Sequence, residues 1–322
     1  MQASPPTTNR AGPALVTGAA GFAGSHLVEH LLNEGLDVVA WHKPGGHAPS
    51  SSNGNVVRSE AVDLLDRSAV REALERAGPG VVYHCAGAAH VGKSWDNTES
   101  TFAVNVRGTH NLVEGLRDLK LKSRVLVPSS AMVYAASDSA ISEEHDLAPG
   151  SPYALSKLAQ ELVGTGNPGG PDVFIARAFN HFGPRQDPWF VASGFARRIA
   201  DIEAGRWAPE IAVGNLESKR DLMDVRDTVR AYRLIIERGV PGRPYNVCTG
   251  RVLAIHDLLH MMLARARVPI TVKPDPARYR PNDQPIVLGD PRRIQDELGW
   301  RAEIPVERTI DDLLAFWRNR NA

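Results

Sequence analysis

Ala14-Leu15-Val16-Thr17-Gly18-Ala19-Ala20-Gly21-Phe22-Ala23-Gly24 is the stretch on which the fold turns. Three apolar residues read as a buried strand. From Gly24 to Glu34 the period changes, with Leu27, Val28, Leu31 and Leu32 on one helical face. The glycines lie between the two, where the backbone must turn tightly. Glycines there also let a pyrophosphate approach the N–H groups at a helix start. A glycine trio alone is a weak signal; its place after the first strand and before the first helix gives it meaning. Gly18, Gly21, Phe22, Ala23 and Gly24 are therefore expected to hold a dinucleotide cofactor.

Outward from this loop, apolar runs alternate with amphipathic ones. Strands are expected at Asp37 to Trp41, Val56-Val57, Val81 to Cys85, Arg124 to Val127 and Asp172 to Ala176. Helices are expected at Ser68 to Arg76, Ser100 to Leu119 and Tyr153 to Val163. Strands that are apolar throughout and separated by helices imply a parallel sheet covered on both faces. The fold class is α/β, a Rossmann-like doubly wound sheet with a smaller C-terminal α/β lobe. Beyond Arg177 the regularity fades, with one helical piece at Phe195 to Ala204. It returns at Val229 to Glu237 and Tyr245 to Val247, and three amphipathic segments follow: His256 to Arg267, Pro291 to Leu298 and Val306 to Arg318. This divides the chain into a dinucleotide-binding domain at 11–178, with sheet elements returning around 222–250, and a substrate lobe at 179–221 and 251–322. Residues 1–10 read as a disordered leader.

The composition excludes several classes. With 37 basic and 37 acidic side chains among 322 residues, the formal net charge is +0. That balance argues against nucleic acid or an anionic membrane as the main partner. No run approaches a bilayer span, and the chain reads as cytoplasmic. Cys85 and Cys248 sit in apolar strand-like runs without a metal spacing, so buried thiols and no metal site are expected.

The end of the second strand bears on the cofactor. An NAD site usually places an acid there to accept from the ribose hydroxyls. Here Trp41 runs into His42-Lys43, and a cation suits a 2′-phosphate, which favours NADP(H) and leaves NAD(H) as the alternative. Asp63-Leu64, after the third strand, is placed to touch the adenine.

Tyr153 and Lys157 stand one helical turn apart on one face. A phenol titrates at about 10, too high for ready proton exchange at neutral pH. A neighbouring ammonium stabilises the phenolate and is expected to lower that value. The phenol could then exchange a proton with a substrate oxygen while a nicotinamide exchanges reducing equivalents with the carbon. Ser130, at the end of Pro128-Ser129-Ser130, would hydrogen-bond the same oxygen.

Together, Thr17-Gly18-x-x-Gly21-Phe22-x-Gly24, Ser129-Ser130-Ala131-Met132-Val133-Tyr134 and Tyr153-x-x-x-Lys157 resemble the extended short-chain dehydrogenase/reductase superfamily, over about Ala14 to Arg318. The resemblance implies nucleotide-sugar chemistry, with Ala86, Gly87, Asn105, Tyr153 and Lys157 lining the cofactor. Arg177 to Gln186, Val213 to Asp221 and Asn246 to Arg251 are similar to the GDP-mannose 4,6-dehydratase and GDP-4-keto-6-deoxymannose reductase group. That likeness assigns Asn180, Arg185, Arg220 and Arg280 to a GDP-sugar, whose diphosphate guanidinium forks match well. It also implies a homodimer through the helix carrying Tyr153.

Dehydratases of this superfamily carry a Glu two positions after the Ser/Thr, as base and acid for water elimination. Here that position is Met132, and a thioether cannot take a proton. The motifs therefore favour reduction of a nucleotide-linked 4-keto-6-deoxyhexose by NADPH. A 4-epimerase with bound NAD is the runner-up; a 4,6-dehydratase and a non-catalytic dinucleotide sensor follow. Two departures stand out. Ala135 follows Tyr134 where relatives have Gly, and the Gly/Pro-rich stretch at 164–171 predicts an early end to the Tyr153 helix.

Overall fold

In the computed structural model, which describes residues 12–48, 57–279 and 284–321, β1 (Ala14–Thr17) lies between β2 (Val38–His42) and β4 (Val81–His84), both parallel to it. Flanked on both sides, all four of its residues are buried. Alternate side chains leave a strand in opposite directions. Accordingly Val16 packs with α1 (Phe22–Asn33), whereas Leu15 joins the opposite layer.

The second layer continues through β3 (Arg58–Ala61), α2 (Arg67–Ala77) and a helical run made of α3 (Val91–Asp96), α4 (Thr98–Phe102), one π-helical turn (Ala103–Arg107) and α5 (Gly108–Asp118). Next come β5 (Arg124–Ser130), α6 (Pro152–Thr165), β6 (Asp172–Ala178) and β7 (Asn180–Phe182). The C-terminal half holds α7 (Val191–Glu203), β8 (Glu210–Val213), β9 (Lys219–Arg220), β10 (Leu222–Asp224), α8 (Val225–Arg238) and β11 (Pro244–Val247). It ends with β12 (Leu253–Ala254), α9 (Ile255–Leu263), β13 (Thr271–Pro274), β14 (Ile286–Val287), α10 (Arg292–Leu298) and α11 (Val306–Asn321).

Seven parallel strands form the main sheet in the order β11-β6-β5-β4-β1-β2-β3. Helices α1 and α8 cover one face through Leu27, Leu31, Tyr232 and Ile235. On the other, α2 and α5 contribute Val70, Leu74, Leu112 and Leu116. Helix α6 lies close on that second face, since a Cβ at Gly164 would meet Val173 Cγ1 at 3.3 Å and Val127 Cγ2 at 3.6 Å.

One expectation needs correction. The third strand is Arg58–Ala61 rather than Val56-Val57, of which Val56 lies outside the described residues. It is an edge strand paired only with β2, so it tolerates exposed Arg, Ser and Glu and lacks the apolar signature. Helix α6 ends inside the Gly/Pro-rich stretch, at Thr165, with Gly166 as its cap. Ile294, Leu298 and Trp300 bury against the α1/α8 layer. The lobe's own core joins α7, β8, α9 and α11 through Ile199, Val213, Leu258, Ile310 and Leu314. The leader expected at 1–10 falls outside the described residues.

Candidate active site

Strand order reverses between β1 and β4, and ligands of doubly wound sheets bind at the carboxyl ends of such a pair. Gly18, just past β1, has φ +63°, and a Cβ there would stand 2.6 Å from the Cα of Ala86 just past β4. A Cβ at Gly24 would reach the Gly18 carbonyl at 2.2 Å. Both glycines are thus demanded by close backbone approach. Helix α1 starts at Gly21 with no side-chain cap, the arrangement that offers backbone N–H donors to a phosphate. This narrow cradle fits a dinucleotide's pyrophosphate.

The ends of β2 and β3 converge beside it. The Ala19 N–H donates to the Trp41 carbonyl at 3.0 Å, and the Val62 N–H to the His42 carbonyl at 2.9 Å. His42 is half-buried and Lys43 exposed, with no carboxylate at the strand end. Asp63 spends one oxygen on its own turn, accepting from the Leu65 N–H at 2.9 Å, while the Leu64 carbonyl is held by Asn111 Nδ2 at 2.8 Å. Asn105 sits in the π-helical turn, a distortion common at functional sites. Its amide takes both backbone groups of Ala88, accepting at 2.7 Å and donating at 3.2 Å, and also donates to Ser156 Oγ at 2.8 Å. Gly87 passes so close that a Cβ would meet Asn105 Oδ1 at 2.9 Å.

Ser130 ends β5, and Tyr153 opens α6. That helix is started by Ser151, whose Oγ accepts from the Ala154 N–H at 3.1 Å, with Pro152 in its first turn. The Tyr153 N–H donates to Ser94 Oγ at 3.1 Å, which docks α3 on the tyrosine itself. The electrostatics differ from the expectation that Lys157 lowers the phenol's pKa. Burial raises Tyr153, and the opposing influence is its hydrogen bond with Ser130. Lys157 is itself lowered to about 8 by burial, with Glu161 and Cys85 acting against the fall. Its ammonium donates to Gln160 Oε1 at 2.5 Å. Sequence reasoning missed Gln160; a polar residue one turn past Lys157 was the available signal.

Of the residues assigned to the sugar nucleotide, Asn180 and Arg220 come to one corner. Asn180 on β7 pairs with Leu222 on β10, two residues from Arg220. Asp221, fully buried, fixes that corner by accepting from the Thr249 and Gly250 N–H groups at 2.8 and 2.9 Å and from the Thr249 hydroxyl at 2.7 Å. Arg185 is directed elsewhere. With φ +73° it turns onto α1, where its guanidinium donates to Glu29 and to His26 Nδ1, each at 2.7 Å. In this structure its guanidinium is held by those two side chains. Arg280 lies outside the described residues. Met132 is half-buried in the short turn after Ser130.

Among the described residues no cluster could hold a metal ion, and no helix is long and apolar enough to cross a membrane. A family model described as GDP-mannose 4,6 dehydratase matches residues 15–313. The GDP-6-deoxy-D-mannose reductase of Pseudomonas aeruginosa is 33% identical over 310 residues, covering 95% of this chain and 97% of that protein. The UDP-glucose 4-epimerase of Mycolicibacterium smegmatis is 32% identical, covering 95% and 99%. Among solved structures, RMD from Pseudomonas aeruginosa complexed with NADPH superposes with a TM-score of 0.81 at 31% identity, covering 96% and 99% of the two chains. The glycine cradle at the β1/β4 switch, the Ser130–Tyr153–Lys157 set and a match over nearly the whole length lead to one conclusion: the chain belongs to the GDP-mannose 4,6-dehydratase family of short-chain dehydrogenase/reductase enzymes.

Proposed function

We propose that the protein reduces the C4 ketone of a nucleotide-linked 4-keto-6-deoxyhexose, of the GDP-4-keto-6-deoxymannose type, with NADPH. The observation that carries this reading is Met132. It follows Ser130 where elimination would need a carboxylate, while Ser130, Tyr153 and Lys157 are all retained. The similarity to a GDP-6-deoxy-D-mannose reductase and to a structure complexed with NADPH supports it.

In this reading Gly18, Gly21, Phe22, Ala23 and Gly24 would hold the pyrophosphate. His42 and Lys43 would hold the 2′-phosphate, Asp63 and Leu64 the adenine side, and Ala86, Gly87, Asn105 and Lys157 the rest of the cofactor. Bound NADPH supplies the reducing equivalent to the carbonyl carbon. The protein supplies the proton. Burial keeps the Tyr153 phenol protonated at neutral pH, so it starts the reaction as an acid facing the ketone oxygen. Ser130 Oγ accepts the Met132 N–H, and its single proton, shared with the Tyr153 phenol, would turn to orient that oxygen once substrate binds. Asn180, Arg220 and Arg280 would bind the sugar diphosphate, and a homodimer through α6 belongs to the same reading.

Purified protein should oxidise NADPH when given the 4-keto-6-deoxy sugar nucleotide, followed by loss of NADPH absorbance. No consumption above the rate without sugar would sink the proposal. The similarity to a UDP-glucose 4-epimerase supports a second reading, a 4-epimerase that keeps NAD bound. Identifying the nucleotide that copurifies separates the two, because an epimerase retains NAD without net consumption.

A further inference from the structure

Behind Lys157 lies a line of buried polar side chains drawn from four separate stretches of sequence. Thr17, His84, Thr109 and Gln160 are each at most 1% exposed, and Lys157 is 8% exposed. Their hydrogen bonds admit one arrangement. The Asn105 carbonyl can only accept, so the single proton of the Thr109 hydroxyl is given to it at 2.6 Å. Thr109 Oγ1 must then accept from both neighbours, Gln160 Nε2 at 2.9 Å and His84 Nε2 at 2.9 Å. With its proton on Nε2, His84 accepts at Nδ1 from the Thr17 hydroxyl at 2.8 Å. Thr17 Oγ1 in turn accepts from the Ala86 N–H at 3.2 Å. Gln160 has its nitrogen bound to Thr109, so its oxygen can face only Lys157, which donates to it at 2.5 Å.

We propose that Gln160 is a positioning residue for Lys157, the last link of a hydrogen-bonded chain through Thr109, His84 and Thr17 that ties the ammonium to the Thr17–Ala86 edge of the cofactor cradle. The chain is neutral, and each side-chain nitrogen and oxygen in it has at least one partner. Burial and the nearby Lys157 hold the His84 ring well below its usual range, at about 3, so it does not compete with the ammonium for charge. The ionisable groups around Lys157 are Tyr153 and Glu161 on its own helix, His84 and Cys85 at the end of β4, and Tyr232 of α8 facing Cys85 and Tyr153. Gln160 is the group that hydrogen-bonds the ammonium directly. Without it, the charged form loses an acceptor in a buried place, and the lysine is no longer aimed.

The proposal rests on the reading that Lys157 serves NADPH-dependent turnover, but the lysine itself can be read without turnover. Full-length protein labelled with 13C in its lysines gives a Lys157 signal, assigned by its loss in Lys157→Met. Gln160→Met should lower the Lys157 titration midpoint by about one pH unit, and Gln160→Glu should raise it by a similar amount or more. Thr109→Val should move it in the direction of Gln160→Met, whereas Thr109→Ser, which keeps the hydroxyl, should restore it. In NADPH oxidation the alkaline limb should follow the same two directions. A residue that only fills space would lower activity without moving the midpoint in opposite senses. Folded Gln160 variants whose Lys157 midpoints both stay within about 0.2 pH unit of the parent overturn the proposal. If Gln160→Met does not fold, Gln160→Glu and the Thr109 pair decide it by the same criterion. Shifted midpoints in a protein that oxidises no NADPH would refute the reductase reading and leave this chain standing.

Discussion

The backbone N–H of Met132 donates to Ser130 Oγ at 3.2 Å, so the residue that stands in the place of a dehydratase carboxylate is hydrogen-bonded to the serine proposed to orient the substrate oxygen. The contact is made by the backbone, and nothing in the proposed proton transfer uses the thioether. Met132→Leu should therefore keep NADPH oxidation within about threefold of the parent, a volume-conserving change. Met132→Glu places a carboxylate in a half-buried position two residues from Ser130, which hydrogen-bonds a phenol whose pKa is already raised. Each further unit is worth about 1.4 kcal/mol, or tenfold in the equilibrium for losing the proton, so kcat should fall at least about tenfold. Steady-state rates of the two variants at pH 7 check this.

Tyr153→Phe removes the acid and keeps the ring. General acid catalysis contributes about 10²- to 10⁴-fold, and kcat should fall within that range. NADPH affinity, measured by its fluorescence, should change by less than about threefold because the cradle is built by other residues. A dinucleotide sensor would show no dependence of its function on the phenol.

Much of the site was legible because its signals are local. The switch from strand to helix period brackets Gly18–Gly24, and Tyr153 and Lys157 share a face by spacing alone. What escaped depends on partners distant in sequence. The contacts of Arg185 with Glu29 and His26, more than 150 positions away, have no local signature. Ile294 and Leu298 could not be assigned to a layer from their pattern, since an amphipathic segment shows that it has an apolar face but not what covers it. β3 escaped because an edge strand with exposed Arg58 and Glu60 need not look apolar. The interplay of Tyr153 and Lys157 was misjudged for a related reason: spacing puts charges near each other but says nothing of burial, and burial dominates both shifts.

The preference between the two nicotinamide cofactors should reside in the end of β2. Lys43 is exposed and beside the glycine loop, with no acid at the strand end to accept from a ribose. A hydrogen bond to a charged group contributes about 1.5–3 kcal/mol. Lys43→Glu should accordingly raise KM for NADPH about 10- to 100-fold, while KM for NADH moves by less than about threefold. Equal losses with both cofactors would show that Lys43 does not read the 2′-phosphate.

His26 predicts an acid limb of stability. Its Nε2 lies 2.8 Å from the Pro184 carbonyl and its Nδ1 2.7 Å from the Arg185 guanidinium, which requires Nδ1 to accept and the ring to be neutral. Burial, aided by Arg185, lowers its pKa to about 4. An unfolded chain takes up the proton below about 6.5, so it binds more protons than the native state in this window. Stability is full above pH 6.5 and is lost as pH falls toward 4. His26→Gln should shrink the stability lost between pH 7.5 and pH 5 by about 2 kcal/mol. Urea unfolding at the two pH values measures it; an unchanged loss would assign the acid limb to other groups.

Helix α6 buries Ser156, Lys157 and Gln160 on one side and exposes two large apolar side chains on the other. Leu155 is 48% exposed and Leu162 is 64% exposed. Seven residues are almost two full turns, so both project from the same face, away from buried Ser156, Lys157 and Gln160. A two-fold contact uses one patch twice, so four leucines would be covered at a symmetric α6 interface. Half-exposed as they are, the four leucines together contribute about 3–7 kcal/mol, and the rest of the interface must supply what a micromolar dimer needs. Changing both to glutamate would bring like charges together across the axis. Light scattering during size-exclusion chromatography should give a dimer for the parent and a monomer for Leu155→Glu/Leu162→Glu. The monomer should keep NADPH binding, because the cradle is built within one chain. A parent protein that elutes as a monomer at tens of micromolar, or a double variant that stays dimeric, would remove α6 as the interface.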